Sequence, residues 1–301
     1  MTSNGPTEPI DKSSPEEEAR LVQTLRFESL KTPLTGVAVL KGSLFVVFER
    51  NSVIEVYDST TFTFSGRVSV EDLTNPQFLT SCPLNSCLYI LNRAKPSNAI
   101  YRLGLAPHWL HHKWLIGTDF GALASTSSGS LLLSCFDLRM KEFSSSGKLI
   151  RQFQIGESTS DLRLFGAVQL SATTEAVETS RVASEAQFAI SYSHRRTGLR
   201  CVCTIDSNGQ EVNPLLKYNG SCTSQHLIIG RQSGTLFLAD FVLGEVFQWN
   251  AELKNCRRIR REKEDSGFRP MRICLDQNDR RIIIGEVSLN NEGSKLSVYD
   301  L

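Results

Sequence analysis

The chain has 301 residues, 40% hydrophobic and 22% charged, with a formal net charge of +1, a composition of folded globular domains rather than of disordered or fibrous chains. It contains no apolar run near the roughly 20 residues that cross a bilayer, and its near-neutral charge excludes a strong overall pull toward nucleic acid or anionic membrane. Eight cysteines without a CxxC pair exclude the common zinc spacings; with no secretory signal in sight they read as reduced thiols of a cytoplasmic protein.

In chain order, residues 1–19 are rich in Ser, Thr, Pro and Glu and nearly free of apolar side chains, which reads as a disordered acidic tail. Ser13 and Ser14 precede Pro15 and three glutamates, so both are candidate phosphosites at which a phosphate would add negative charge. A solvated leader without a role is the competing reading. LVQTLRF (21–27) then has the apolar character of a strand.

From there one pattern recurs six times: an apolar strand, a short turn and a second strand often ending near Asp or Asn. The copies are LFVVFERNSVIEVYD (44–58), LYILNRAKPSNAIYRLG (88–104), LLLSCFDLRMKEFSS (131–145), FAISYSHRRTGLRCVCTID (188–206), LFLADFVLGEVFQWN (236–250) and IIIGEVSLNNEGSKLSVYD (282–300). Their starts are 44, 43, 57, 48 and 46 residues apart. Paired strands repeating every 40–50 residues are the signature of four-stranded propeller blades. Innermost strands precede the pairs, as in LTGVAVL (34–40) and RICLD (272–276). Outer strands follow, as in FSGRVSV, HKWLIG, KLIRQFQI, VNPLLKY and CRRIRR. The long third spacing predicts an insertion within 156–175, between blades three and four.

The sixth copy ends at Leu301 and lacks an outer strand. Strand 21–27 beside KLSVYDL supplies it and removes an open edge. The prediction is therefore an all-β, six-bladed propeller with four-stranded blades over 20–301, a single domain closed by its N-terminal strand.

GVAVLKGSLFVVFERNSVIEVYD and MRICLDQNDRRIIIGE with KLSVYDL resemble NHL repeats, the six-bladed propeller repeats of TRIM-type proteins. The resemblance spans about 30–301. It is strongest in blades one, five and six, and the innermost "GIAVD" element is blurred in the middle blades. It implies a protein-interaction platform, with single-stranded RNA bound through a basic rim in some relatives. The first 30 residues hold no Cys, no His and no heptads, so a RING, B-box and coiled coil are not expected.

Residues 254–281 carry ten basic and five acidic side chains. Arg257, Arg258, Arg260, Arg261, Arg269 and Arg272, extended by Arg195 and Arg196, form the candidate RNA- or partner-binding rim through phosphate or bidentate carboxylate contacts. The competing reading is a charged outer edge that keeps the propeller monomeric. His108, His111 and His112 beside Trp109 and Trp114 match no zinc spacing and read as a turn into an outer strand. Cys201 and Cys203 read as core thiols. Asp276 to Asp279 reads as a hairpin turn rather than a calcium loop, and Asp58, Asp206 and Asp300 as local turn residues.

No GxSxG, GxGxxG or P-loop is present, and the innermost strands show little polar equipment for a channel site. The expectation is a monomeric, non-catalytic protein-interaction propeller with no cofactor and no membrane partner, engaging a protein or peptide. The alternative is a single-stranded RNA-binding propeller. A metal-dependent channel hydrolase or lyase is a third reading.

Overall fold

A computed structural model of the chain describes residues 19–27, 32–94, 98–105, 111–117, 120–156, 161–170, 187–219, 225–260, 267–290 and 292–301. Every regular element among them is a strand. β1 (Arg20–Phe27) precedes the first blade, which consists of β2 (Leu34–Leu40), β3 (Ser43–Phe48), β4 (Val53–Asp58) and β5 (Phe64–Ser69). Blade two is β6 (Pro76–Cys82), β7 (Cys87–Asn92), β8 (Asn98–Gly104) and β9 (His111–Ile116). Blade three is β10 (Phe120–Ser125), β11 (Leu131–Cys135), β12 (Arg139–Phe143) and β13 (Leu149–Gln154). Blade four is β14 (Leu162–Gln169), β15 (Phe188–His194), β16 (Leu199–Ile205) and β17 (Glu211–Asn219). Blade five is β18 (Gln225–Ile229), β19 (Leu236–Asp240), β20 (Glu245–Trp249) and β21 (Cys256–Arg260). Blade six is β22 (Phe268–Leu275), β23 (Arg281–Ser288) and β24 (Ser294–Asp300), with β1 as its fourth strand in the order β1-β24-β23-β22.

The six expected repeats thus form the second and third strands of the six blades. Closure occurs as the sequence indicates: Leu21 pairs with Tyr299, Leu25 with Leu296 and Phe27 with Ser294, antiparallel. The insertion does not fall where the spacing suggested. The connection between β13 and β14 is short, and the extra residues lie within blade four, between β14 and β15.

Burial explains why each segment is a strand of its kind. β2 is buried at all seven positions, the continuous apolar run of a strand covered on both faces. The outer β5 and β13 are largely exposed. Side chains alternate across each sheet, so every blade sends one set to each neighbour. The core accordingly divides into six clusters, one per blade-to-blade interface. Phe45, Ile54 and Val68 of blade one meet Leu79, Leu88 and Tyr101 of blade two. At the seam, Phe27, Leu296 and Val298 meet Leu34, Phe48 and Tyr57.

Five innermost strands shift register near their start: at Leu34/Gly36, Pro76/Phe78, Phe120/Ala122, Leu164/Gly166 and Pro270/Arg272. One extra residue bends a strand and sharpens its twist, where six strands must converge on an axis. Convergence is tight enough to require glycine. A Cβ on Gly36 would stand 2.7 Å from Leu79 Cβ, and one on Gly121 would stand 2.4 Å from the Leu164 carbonyl oxygen.

The hairpins joining first to second strands open on one end of the ring, here the mouth face. The blade-to-blade connections and the turns joining second to third strands lie at the other end, here the crossover face.

Candidate functional site

The expected basic rim is dispersed. Arg257 lies on β21, the outer strand of blade five, and its Nε donates to Gln248 Oε1 at 2.7 Å. Arg258 pairs through Nε with Glu245 Oε2 at 3.3 Å and faces the Phe247 ring. Arg195 and Arg196 are exposed in the β15–β16 turn on the crossover face, where Arg196 pairs with Asp161 at 2.5 Å. Arg269, near the start of β22, is partly buried. Arg260 ends β21, while its side chain lies outside the described set. Arg261, Ser13, Ser14, His108 and Trp109 lie outside the described residues.

Arg272 corrects the expectation of a surface cluster, because its side chain is 3% exposed. The register shift at Pro270/Arg272 turns it inward. Nε donates to the Thr35 carbonyl (2.8 Å), Nη1 to that of Met271 (2.7 Å) and Nη2 to that of Gln77 (2.9 Å). The guanidinium stacks 4.0 Å above the Phe78 ring. Arg272 of blade six therefore ties blades one and two together near the axis. Burial pulls its pKa down to about 9.

Above that tie, toward the mouth face, the innermost strands enclose a cavity of about 600 Å³. Its wall takes apolar residues from every blade, among them Val37, Leu79, Leu123, Val168, Leu227 and Ile273. His226, 5% exposed, enters near the Arg272 end. Its Nδ1 accepts the Ile273 N–H at 3.1 Å, which assigns the ring proton to Nε2. Among the described residues no protein acceptor reaches that Nε2. Burial first, and the charge of Arg272 second, pull its pKa down to about 3, so the imidazole is neutral at pH 7.

At the mouth, Arg231 of blade five crosses to the opposite side of the ring. Its Nη2 donates to the Ser81 carbonyl of blade two (2.8 Å) and to Ser125 Oγ of blade three (2.9 Å). Ser125 Oγ donates in turn to the same Ser81 carbonyl at 2.7 Å. The carboxylates at the mouth are held by their own and neighbouring turns. Asp276 Oδ1 accepts the N–H groups of Arg280 and Arg281. Asp279 Oδ2 accepts those of Gln232 and Ser233 from blade five. The channel thus has polar equipment that the sequence reading did not credit to its innermost strands.

The remaining expectations can be placed. Asp58 and Asp206 cap their turns, accepting from Thr60 and Thr61 and from Asn208 and Gln210, whereas Asp300 pairs with Arg281. The 276–279 segment is the β22–β23 hairpin turn. His111 and His112 open the outer strand β9, and Trp114 packs edge-on to Tyr89. Cys201 and Cys203 are buried in β16, and burial pushes both thiols up. Among the described residues no group of three His, Cys, Asp or Glu could hold a metal ion, and no helix is long and apolar enough to cross a membrane.

The architecture defines a six-bladed β-propeller. Among solved structures the chain is similar to the hydrazine synthase of Kuenenia stuttgartiensis, with a TM-score of 0.57 and 12% identity, covering 87% of this chain and 78% of that one. At that identity the likeness concerns the fold. No family model matches the sequence, and no curated protein matches it.

Proposed function

We propose that this propeller is a non-catalytic binding platform in the cytoplasm whose partner is a protein or peptide. The observation that carries the reading is that the outer strands of three successive blades each present a large apolar side chain to solvent. Phe64 of β5 is 54% exposed, Leu115 of β9 65% and Ile150 of β13 55%. They sit on the outermost strands, whose outer edges can accept an added strand with its apolar side chains alongside. The NHL resemblance supports the same reading. The second reading, single-stranded RNA, draws on Arg195, Arg196 and Arg269 near the crossover face.

The test is affinity capture from extract with and without nuclease treatment, comparing the wild-type chain with a Phe64→Ser/Leu115→Ser/Ile150→Ser variant that melts at the same temperature. Partners that survive nuclease and bind the wild type alone support the platform. Partners that vanish with nuclease move the function to RNA. Capture identical in the two proteins removes the outer strands from the binding surface.

A further inference from the structure

We propose that the central channel is a binding site for a small organic anion: an elongated apolar body bearing one carboxylate, inserted head first from the mouth face. The cavity of about 600 Å³ falls in the range of roughly 300–1,000 Å³ typical of ligand sites. Its wall and its polar groups are arranged as such sites are, with an apolar sleeve and few, fixed donors.

The sleeve comes from all six blades, so ring closure makes it rigid. Its inner end presents His226 Nε2–H, a donor on a side chain more than nine-tenths buried, aimed into the cavity and without a protein acceptor among the described residues. That N–H is open to the cavity rather than sealed in protein, and a carboxylate oxygen there accepts a charge-assisted hydrogen bond from it. The sign of the charge follows from the neighbours. Arg272 lies behind His226 and Arg231 spans the mouth, both cationic, and in the low-dielectric channel their fields add along the axis. The acidic side chains of the lining are Asp276 and Asp279, both at the mouth and both engaged by backbone N–H groups. A cationic ligand would have to pass the Arg231 guanidinium at the mouth and approach the charge of Arg272 behind His226, and a purely apolar one would leave the His226 N–H without an acceptor. The site stands on the channel alone and is independent of any partner on the outer strands.

The experiment is calorimetric titration of the full chain with octanoate and with octanol as the uncharged probe of equal length. The expected result is saturable one-to-one binding of octanoate, with octanol bound about tenfold more weakly, as expected when a charge-assisted hydrogen bond is exchanged for a neutral one and the two arginine charges have no anion to attract. Two variants locate the site. His226→Phe keeps the ring and removes Nε2–H, and should weaken octanoate about tenfold and octanol, whose neutral hydroxyl is the weaker acceptor, by less. Ala124→Phe fills the sleeve, leaves His226 in place and should abolish both. Thermal melts and circular dichroism establish that each variant is folded. No saturable binding, equal affinity for octanoate and octanol, or octanoate binding unchanged by a folded Ala124→Phe would each overturn the proposal.

Discussion

Arg200 of blade four donates from Nη1 to Asp240 Oδ2 of blade five at 2.8 Å, and neither side chain is reached by solvent. Tyr218 Oη and Gln225 Nε2 donate to the same carboxylate oxygen, while Oδ1 accepts the N–H groups of Val242 and Leu243 in the turn that follows β19. One carboxylate therefore joins an inter-blade ion pair to a turn cap. Its hydrogen bonds offset the desolvation that otherwise makes buried pairs a poor source of stability.

Asp240→Ala should cost about 3–5 kcal/mol, because it leaves Arg200 charged and buried beside a hole. Asp240→Asn keeps an acceptor for the turn and should be milder than Asp240→Ala, yet still clearly destabilising. Denaturant unfolding of the three proteins measures the order. If Asp240→Ala unfolds at the wild-type midpoint, the pair is an ornament of the fold rather than a tie between blades.

The closing strand makes a second prediction. Phe27 is 7% exposed and packs edge-on to Phe48 at 5.2 Å and to Tyr57 at 6.0 Å, so the last strand of blade six fills part of the interface with blade one. Phe27→Ala should cost about 3–5 kcal/mol and lower the melting temperature by roughly 10 °C. Deleting residues 20–27 removes the same ring and also bares the β24 edge, so it should lower it further and bring aggregation. A truncated protein that melts with the full chain would refute the closure as a source of stability.

These two contacts mark how far the sequence could be read. Periodic apolar pairs starting near 44, 88, 131, 188, 236 and 282 report the blades directly, because each repeat must bury its own two faces against identical neighbours. The missing outer strand of the last copy pointed to residues 21–27 for the same reason. The sites were hidden because they depend on ring closure. His226 and Arg231 of blade five face one cavity and Arg272 of blade six closes in behind His226, and nothing in their spacing says so. Arg272 sat in a dense run of basic residues, and linear charge density does not tell which face of a strand a residue takes, least of all across a bulge. The insertion was misplaced because the distance between second strands measures a whole repeat and does not say which of its turns absorbs the extra residues.

The buried imidazole predicts an acid sensitivity with a definite sign. His226 is held neutral, its folded pKa pulled from 6.5 to about 3 by burial and by Arg272. Above pH 6.5 both folded and unfolded chains leave it neutral, and its stabilising share is fully present. Between 6.5 and about 3 the unfolded chain takes a proton that the folded chain refuses, so stability falls by up to about 1.4 kcal/mol per pH unit. The melting temperature of the wild type should drop from pH 7 to pH 4 more steeply than that of His226→Phe, which has no proton to bind. Parallel pH profiles for the two proteins would show that the ring is protonated in the fold.

The basic cluster gives the last prediction, which separates a charged edge from a nucleic-acid surface. Arg257 and Arg258 already direct their Nε groups to Gln248 and Glu245 of the adjacent strand, and phosphate contacts would compete with those partners. Binding of a randomised single-stranded RNA pool should therefore be weak. It should also be little changed in an Arg257/Arg258/Arg260/Arg261→Glu variant. The substitution at 258 should itself cost on the order of 1 kcal/mol, since it sets a carboxylate against Glu245. A salt series is the measurement. Tight binding whose logarithm falls steeply with that of salt, and which the variant loses, would mean that several phosphates are neutralised at this edge, and the outer strand of blade five would then be an RNA surface.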